Sequence, residues 1–218
     1  LEVIQLGKHS PGPISCNFTT GSLGYRRLHG GGKKQNLAKA IGIKSIKQKL
    51  YIMDVTAGLG RDAFILASLG AKVLMLERND ILAALLADGI YRARMIEDEK
   101  GEDFKEVFKR ITLVNNDSID HLNTLEDTSM PDIVYIDPMF PPRQKSSQVK
   151  KEMQLLQRLI GPDEDSDKLL ALAKSKARYR VVVKRPIHAK FLSDQEPSYS
   201  LKGKSTRYDI DSNKKIPI

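Results

Sequence analysis

Asp54-Val55-Thr56-Ala57-Gly58-Leu59-Gly60-Arg61-Asp62 joins a short apolar run, Leu50 to Val55, to a segment over Arg61 to Leu69 whose Phe64, Ile65 and Leu69 share one helical side. A short, largely apolar run bounded by turn residues is consistent with a strand buried on both faces. A glycine turn between such a strand and a helix is the setting a nucleoside-binding loop requires. Gly58 and Gly60 let the backbone approach a ligand closely and permit positive φ. Glu77 follows the next predicted buried strand, Ala71 to Leu76, 19 residues after Gly58. A carboxylate there can accept hydrogen bonds from ribose hydroxyls.

The same alternation continues outward from this loop. Helices are predicted over Gln35 to Ile41, Ile81 to Met95, Lys150 to Ile160 (stopped by Gly161-Pro162) and Asp167 to Ala177. The charged stretch up to Arg110 reads as further helix or loop. Strands are predicted at Ile111 to Val114, Asp132 to Ile136 and Tyr179 to Lys184, and Ser198 to Ile210 reads as a terminal hairpin. Strands alternating with helices indicate an α/β fold around a mainly parallel, doubly wound sheet, with the hairpin antiparallel at its end. Residues 1–48 read as a loop-rich, basic appendage with one helix, and 49–218 as the catalytic domain. The chain opens on Leu1 rather than Met, so a trimmed start is expected.

Two ligand classes fit the glycine loop. Ala63 formally completes the dinucleotide pattern G-x-G-x-x-G/A, whereas Asp54, four residues before Gly58, favours the D-x-x-x-G-x-G pattern of S-adenosylmethionine sites. Asp117-Ser118, after the third strand, falls on the same edge of the sheet, where strand ends line the crevice. Asp117 can accept from an adenine amino group, with Ser118 bonding nearby. Both residues are also good helix N-caps.

A second loop, Asp137-Pro138-Met139-Phe140-Pro141-Pro142, follows the fourth strand. Enzymes that methylate exocyclic base amines commonly carry [N/D]-P-P-[Y/F] here. Met139 replaces the second proline. The chemistry accounts for the residue types. A base amino nitrogen is a poor nucleophile because its lone pair is delocalised into the ring. Asp137, with the Pro138 carbonyl, can accept its N–H bonds and aim that lone pair. Phe140 can stack on the base, and the proline fixes the backbone. Positioning and electrostatics then supply most of the catalysis, and no metal is required.

Net charge is +9 over 218 residues, unevenly spread. Residues 1–50 carry nine Lys/Arg and one acid, residues 171–218 twelve and four, and residues 51–170 fifteen and twenty-two. Basic ends around a mildly acidic centre suit a polyanionic partner. Arg26, Arg27, Lys33, Lys34, Arg143, Lys145, Lys184 and Arg185 are the candidates to track a phosphate backbone, with Lys150 and Lys151 beside them. The four histidines show no ligand spacing. Cys16 is the single cysteine, which excludes an internal disulfide and suits a reducing cytoplasm. No apolar stretch approaches the roughly 18 residues of a membrane span, and no leader is visible. No obligate protein partner is expected.

Asp54 to Phe64, Met75-Leu76-Glu77-Arg78-Asn79, Asp137 to Pro141 and Val181-Val182-Val183-Lys184-Arg185-Pro186 closely resemble the bacterial ribosomal RNA small subunit methyltransferase J family. The resemblance runs from about Gly21 to Asp209. It implies a Rossmann-like class I S-adenosylmethionine-dependent methyltransferase fold. It also implies methylation of guanosine N2 near the 3′ end of 16S ribosomal RNA, in the RNA or the small ribosomal subunit. Arg61, Asp62, Glu77 and Arg78 match the family's cofactor contacts, and Asp137 matches the aspartate facing cofactor and substrate. Asp117-Ser118 stands where the family has Ser-Ser. Rival readings are an amino-methyltransferase on another base, an NAD-dependent oxidoreductase and a non-enzymatic RNA-binding module.

Overall fold

The computed structural model describes residues 1–7, 12–18, 35–43, 49–96, 101–138 and 165–217. The predicted helix over Lys150 to Ile160 lies outside them. The order of elements is α1 (Asn36–Ile41), β1 (Tyr51–Asp54), α2 (Arg61–Ser68), β2 (Lys72–Glu77), α3 (Asp80–Arg94), α4 (Gly101–Lys109), β3 (Ile111–Asn115), α5 (Ser118–Asn123), β4 (Ile133–Ile136), α6 (Ser166–Lys176), β5 (Arg180–Pro186), β6 (Tyr199–Lys202) and β7 (Thr206–Ser212). The strands form one sheet in the order β3-β2-β1-β4-β5-β7-β6. The first five are parallel. β7 runs antiparallel to β5 and to β6, so the terminal hairpin enters the sheet through its second strand.

Alternate residues of each strand feed two cores. Ile52, Val73, Met75, Ile133, Tyr135 and Val182 face the core built with α2, α3 and α4. Met53, Leu76, Val134, Ile136, Val181 and Val183 face the core built with α5 and α6. Such two-sided burial is what the unbroken apolar runs require. Residues before 49 share the first core. Ile14, Cys16, Phe18, Leu37, Ala38, Ala40 and Ile41 all pack within it. The Phe18 ring lies 5.3 Å from that of Phe64 and 5.2 Å, edge-on, from that of Phe108. The Cys16 thiol, pushed up to about 12 by burial, reaches the Leu59 carbonyl at 3.4 Å.

β1 leads across to β2 and β3 on one side, and β4 leads to β5 on the other. The reversal leaves a crevice at the carboxyl ends of β1 and β4, the place where open α/β sheets bind ligands. Among the described residues, no helix is long and apolar enough to cross a membrane.

Candidate active site

The glycine loop is strapped to its neighbouring strands. The Val55 N–H donates to the Tyr135 carbonyl (3.0 Å), and the Ala57 N–H to the Leu76 carbonyl (3.1 Å). Glu77 holds the turn through both oxygens: Oε2 accepts from Gly58 N and Oε1 from Asn79 N, each at 2.8 Å. Gly58 (φ 56°) and Gly60 (φ 65°) both adopt left-handed conformations. Their surroundings differ. A Cβ on Gly60 would lie 2.7 Å from Leu86 Cδ2 and 3.3 Å from both Met75 Sδ and Phe18 Cζ, whereas one on Gly58 would meet nothing nearer than the Thr56 carbonyl at 3.9 Å. Gly60 is therefore demanded by packing, and Gly58 leaves open room beside its backbone. We expect Gly60→Ala to lose about 2–4 kcal/mol in chemical denaturation, from left-handed strain plus overpacking. Gly58→Ala should lose only about 1 kcal/mol while weakening nucleoside binding. Equal stabilities for the two variants would overturn this distinction.

The second loop is bonded to the first. The Asp137 N–H donates to Thr56 Oγ1 at 2.6 Å, so the two motifs meet in one crevice. Behind them runs a polar chain. Tyr135 Oη, on a residue wholly buried in β4, donates to Asp62 Oδ2 at 2.7 Å. Lys184 Nζ donates to the same Asp62 oxygen at 2.7 Å and to Asp137 Oδ2 at 2.6 Å. Burial raises the Asp137 carboxyl above its ordinary value against the pull of Lys184. The Lys184 ammonium, despite its burial, is pushed upward by Asp137 and Asp62.

Asp54 is 2% exposed, and its Oδ1 accepts from Thr56 N at 3.2 Å. It supports the loop from beneath. Burial, reinforced by Asp62 and Asp137, pushes its carboxyl up to about 8 from 3.8. Between those values the folded protein holds a proton that the unfolded chain has released, so this group's contribution to stability falls as pH rises through the window. We expect Asp54→Asn to flatten the decline in melting temperature between acid pH and about pH 8. Identical profiles for variant and parent would sink this account.

The remaining predicted residues are placed as follows. Asp117 caps α5, accepting from Ile119 N (2.8 Å) and Asp120 N (3.3 Å), and lies 3.5 Å from Arg78 Nη1. Arg78 also pairs with Asp165 at 2.6 Å. Ser118 Oγ donates to the Val55 carbonyl at 2.7 Å and anchors α5 to the end of β1. Pro138 is buried and Arg61 exposed at the head of α2. Two residues assigned from sequence to an RNA-facing surface make contacts within the protein. Lys184 is turned inward because two carboxylates hold its ammonium. Arg185 is buried, with Nε and Nη2 donating to the Lys190 carbonyl, which clamps the turn after β5. Phe140, Arg26, Arg27, Lys33, Lys34, Arg143 and Lys145 lie outside the described residues.

Sequence reasoning missed Thr56 and Tyr135. Tyr135 did carry a signal. A tyrosine inside an otherwise aliphatic buried strand brings a hydroxyl that needs a partner.

The antiparallel β7 between β5 and β6 departs from the 3-2-1-4-5-6 order of dinucleotide-binding folds, and the crevice pairs a nucleoside loop with an acidic loop. Together they define the class of S-adenosylmethionine-dependent methyltransferases. A family model described as "Putative SAM-dependent methyltransferase" matches residues 1–213. The chain is 48% identical over 217 residues to ribosomal RNA small subunit methyltransferase J of Cellvibrio japonicus, covering 100% of this chain and 81% of that one. It is 46% identical to the protein of the same name from Marinobacter nauticus, covering 100% and 76%. A crystal structure of an S-adenosylmethionine-dependent methyltransferase from Neisseria gonorrhoeae superposes with a TM-score of 0.73 at 37% identity, covering 97% of this chain and 78% of that one. The chain belongs to the ribosomal RNA small subunit methyltransferase J family.

Proposed function

We propose that the chain methylates the exocyclic N2 amino group of a guanosine near the 3′ end of 16S ribosomal RNA, with S-adenosylmethionine as donor. The observation that carries this reading is the bond from Asp137 N to Thr56 Oγ1, which holds the amine-accepting loop against the cofactor loop. The names borne by relatives at 46–48% identity over the whole chain supply the ribosomal RNA target.

The residues present fit the cofactor. Each Glu77 oxygen accepts a backbone bond, which holds the carboxylate at the end of β2, where such a group takes ribose hydroxyls. The open side of Gly58 admits a ligand against the backbone. Arg61, Arg78, Asp117 and Ser118 border the same edge, while Asp54 and Asp62 shape the loop from behind. Bound S-adenosylmethionine supplies a methyl group already activated by the sulfonium charge. Asp137, with the Pro138 carbonyl, accepts the amino N–H bonds, directs the nitrogen lone pair and takes the proton that the nitrogen sheds. Phe140 stacks on the base, which must first leave any helix.

In this reading residues 49–218 carry catalysis. Residues 1–48, with Arg26, Arg27, Lys33 and Lys34, join Arg143 and Lys145 in meeting RNA phosphates, in the cytoplasm. The test is calorimetric titration with S-adenosylhomocysteine, NAD as control, followed by labelled methyl transfer to small ribosomal subunits and to naked 16S RNA. Binding of S-adenosylhomocysteine and label on guanosine N2 are expected. Binding of NAD alone would overturn the reading in favour of hydride chemistry.

A further inference from the structure

We propose that Lys184 is a positioning residue for the reaction: gripped between Asp62 and Asp137, it fixes Asp137 as an ionised acceptor. The inference rests on the reading of Asp137 as the group that accepts the substrate amine.

The register places Lys184 there. Val183 of β5 pairs with Ile136 of β4, so Lys184, still within β5, stands beside Asp137, the first residue past β4. Lys184 Nζ then lies 2.6 Å from Asp137 Oδ2 and 2.7 Å from Asp62 Oδ2. The Asp62 side chain is 8% exposed, and the oxygen that meets Lys184 also accepts from the Tyr135 hydroxyl at 2.7 Å. A chain of bonds therefore runs from the buried core, through the first turn of α2, to the acceptor. That turn opens directly from the glycine loop. One set of contacts thus sets both the cofactor loop and the acceptor.

Charge explains why a lysine is needed. Asp54 and Asp62 are buried, and Asp137, with its side chain 35% exposed, adds a third interacting carboxyl. Lys184 Nζ is in hydrogen-bond contact with both Asp62 and Asp137. Three carboxyls crowded together in low dielectric disfavour ionisation of one another. A cation in hydrogen-bond contact restores it. An ionised Asp137 has Oδ1 to accept the amine N–H and can take its proton. A protonated Asp137 would present a donor where an acceptor is needed. Lys184 touches Asp137 and Asp62, and acts on the amine through Asp137.

The test is the pH dependence of kcat for Lys184→Gln and Lys184→Arg, with S-adenosylhomocysteine affinity measured alongside. In Lys184→Gln the acidic limb should move up by about 1–3 pH units, the effect of losing an adjacent opposite charge. Affinity should stay within about tenfold. Lys184→Arg should return the limb to its wild-type position, at a lower kcat because the guanidinium is broader. A glutamine variant with wild-type kcat and limb would overturn the inference, as would an arginine variant displaced as far as the glutamine one. If Lys184→Gln does not fold, Lys184→Arg decides alone: a limb overlying wild type supports the inference and a displaced one overturns it. Wild-type turnover by Asp137→Ala would instead remove the underlying acceptor reading. An inactive Asp137→Ala beside a Lys184→Gln with the wild-type limb would remove the Lys184 inference alone.

Discussion

Asp137→Ala is expected to lower methyl transfer by about 10²–10⁴-fold, the usual worth of a positioned acid or base, with S-adenosylhomocysteine affinity within about tenfold, or 1.4 kcal/mol. The backbone bond from Asp137 N to Thr56 Oγ1 does not depend on the side chain and should survive. The loops stay docked while the amine loses its acceptor. The substitution also frees Lys184, which keeps Asp62 as a partner, so no ammonium is left without a counter-charge. The variant should therefore fold. Single-turnover rates with small subunits, paired with calorimetry, separate the two effects. A variant that turns over like wild type would rule out Asp137 as the acceptor, and one that loses cofactor binding equally would make it a structural residue.

Glu77→Ala should produce the largest loss at the cofactor. Its carboxylate accepts from both Gly58 N and Asn79 N in a site only 7% exposed. Removing it leaves two backbone donors without this acceptor, each worth about 1–3 kcal/mol when buried. Asn79 also caps α3 through Ile81 N and Leu82 N, so the disturbance spreads from the glycine turn to the next helix. We expect about 2–4 kcal/mol less stability. S-adenosylhomocysteine affinity should fall more than a hundredfold, because the loop and the ribose acceptor are lost together; that factor corresponds to about 2.8 kcal/mol. Glu77→Gln retains one acceptor oxygen but turns an NH₂ toward an N–H, and should fall between alanine and wild type. Wild-type affinity in Glu77→Ala would exclude any role for this carboxylate in binding. Lost affinity with unchanged stability would mean that the ribose contact alone matters.

The two substitutions probe opposite halves of the crevice. Glu77 ends β2 and Asp137 follows β4, with the β1 loop between them. The strand order sets the side proposed to hold the nucleoside apart from the side proposed to present the amine.

What was legible in the sequence is what local chemistry determines. Ile52-Met53, Val73 to Leu76, Ile133 to Ile136 and Val181 to Val183 are apolar without a break, and only a sheet covered on both faces hides such runs. Gly58 and Gly60 announce left-handed turns, and Glu77 and Asp137 stand at strand ends that line the crevice. Other assignments depended on distant neighbours. Lys184 and Arg185 look like any basic pair after a strand. One faces inward because Asp62, 122 residues away, comes to lie beside it. The other is buried because the chain turns back to offer the Lys190 carbonyl. Asp117 fits a ligand contact, a helix cap or both on paper, and only the folded chain shows the cap on α5. Phe18 belongs to a glycine- and proline-rich stretch with no periodicity, yet it packs against both Phe64 and Phe108 and closes the space beside Gly60. The sequence by itself thus determined the sheet, the glycine loop and the acidic loop, because backbone preference and burial act over a few residues. The tertiary structure alone decided which charges meet, because hydrogen bonds and ion pairs act over a few ångströms and only folding brings those residues within reach.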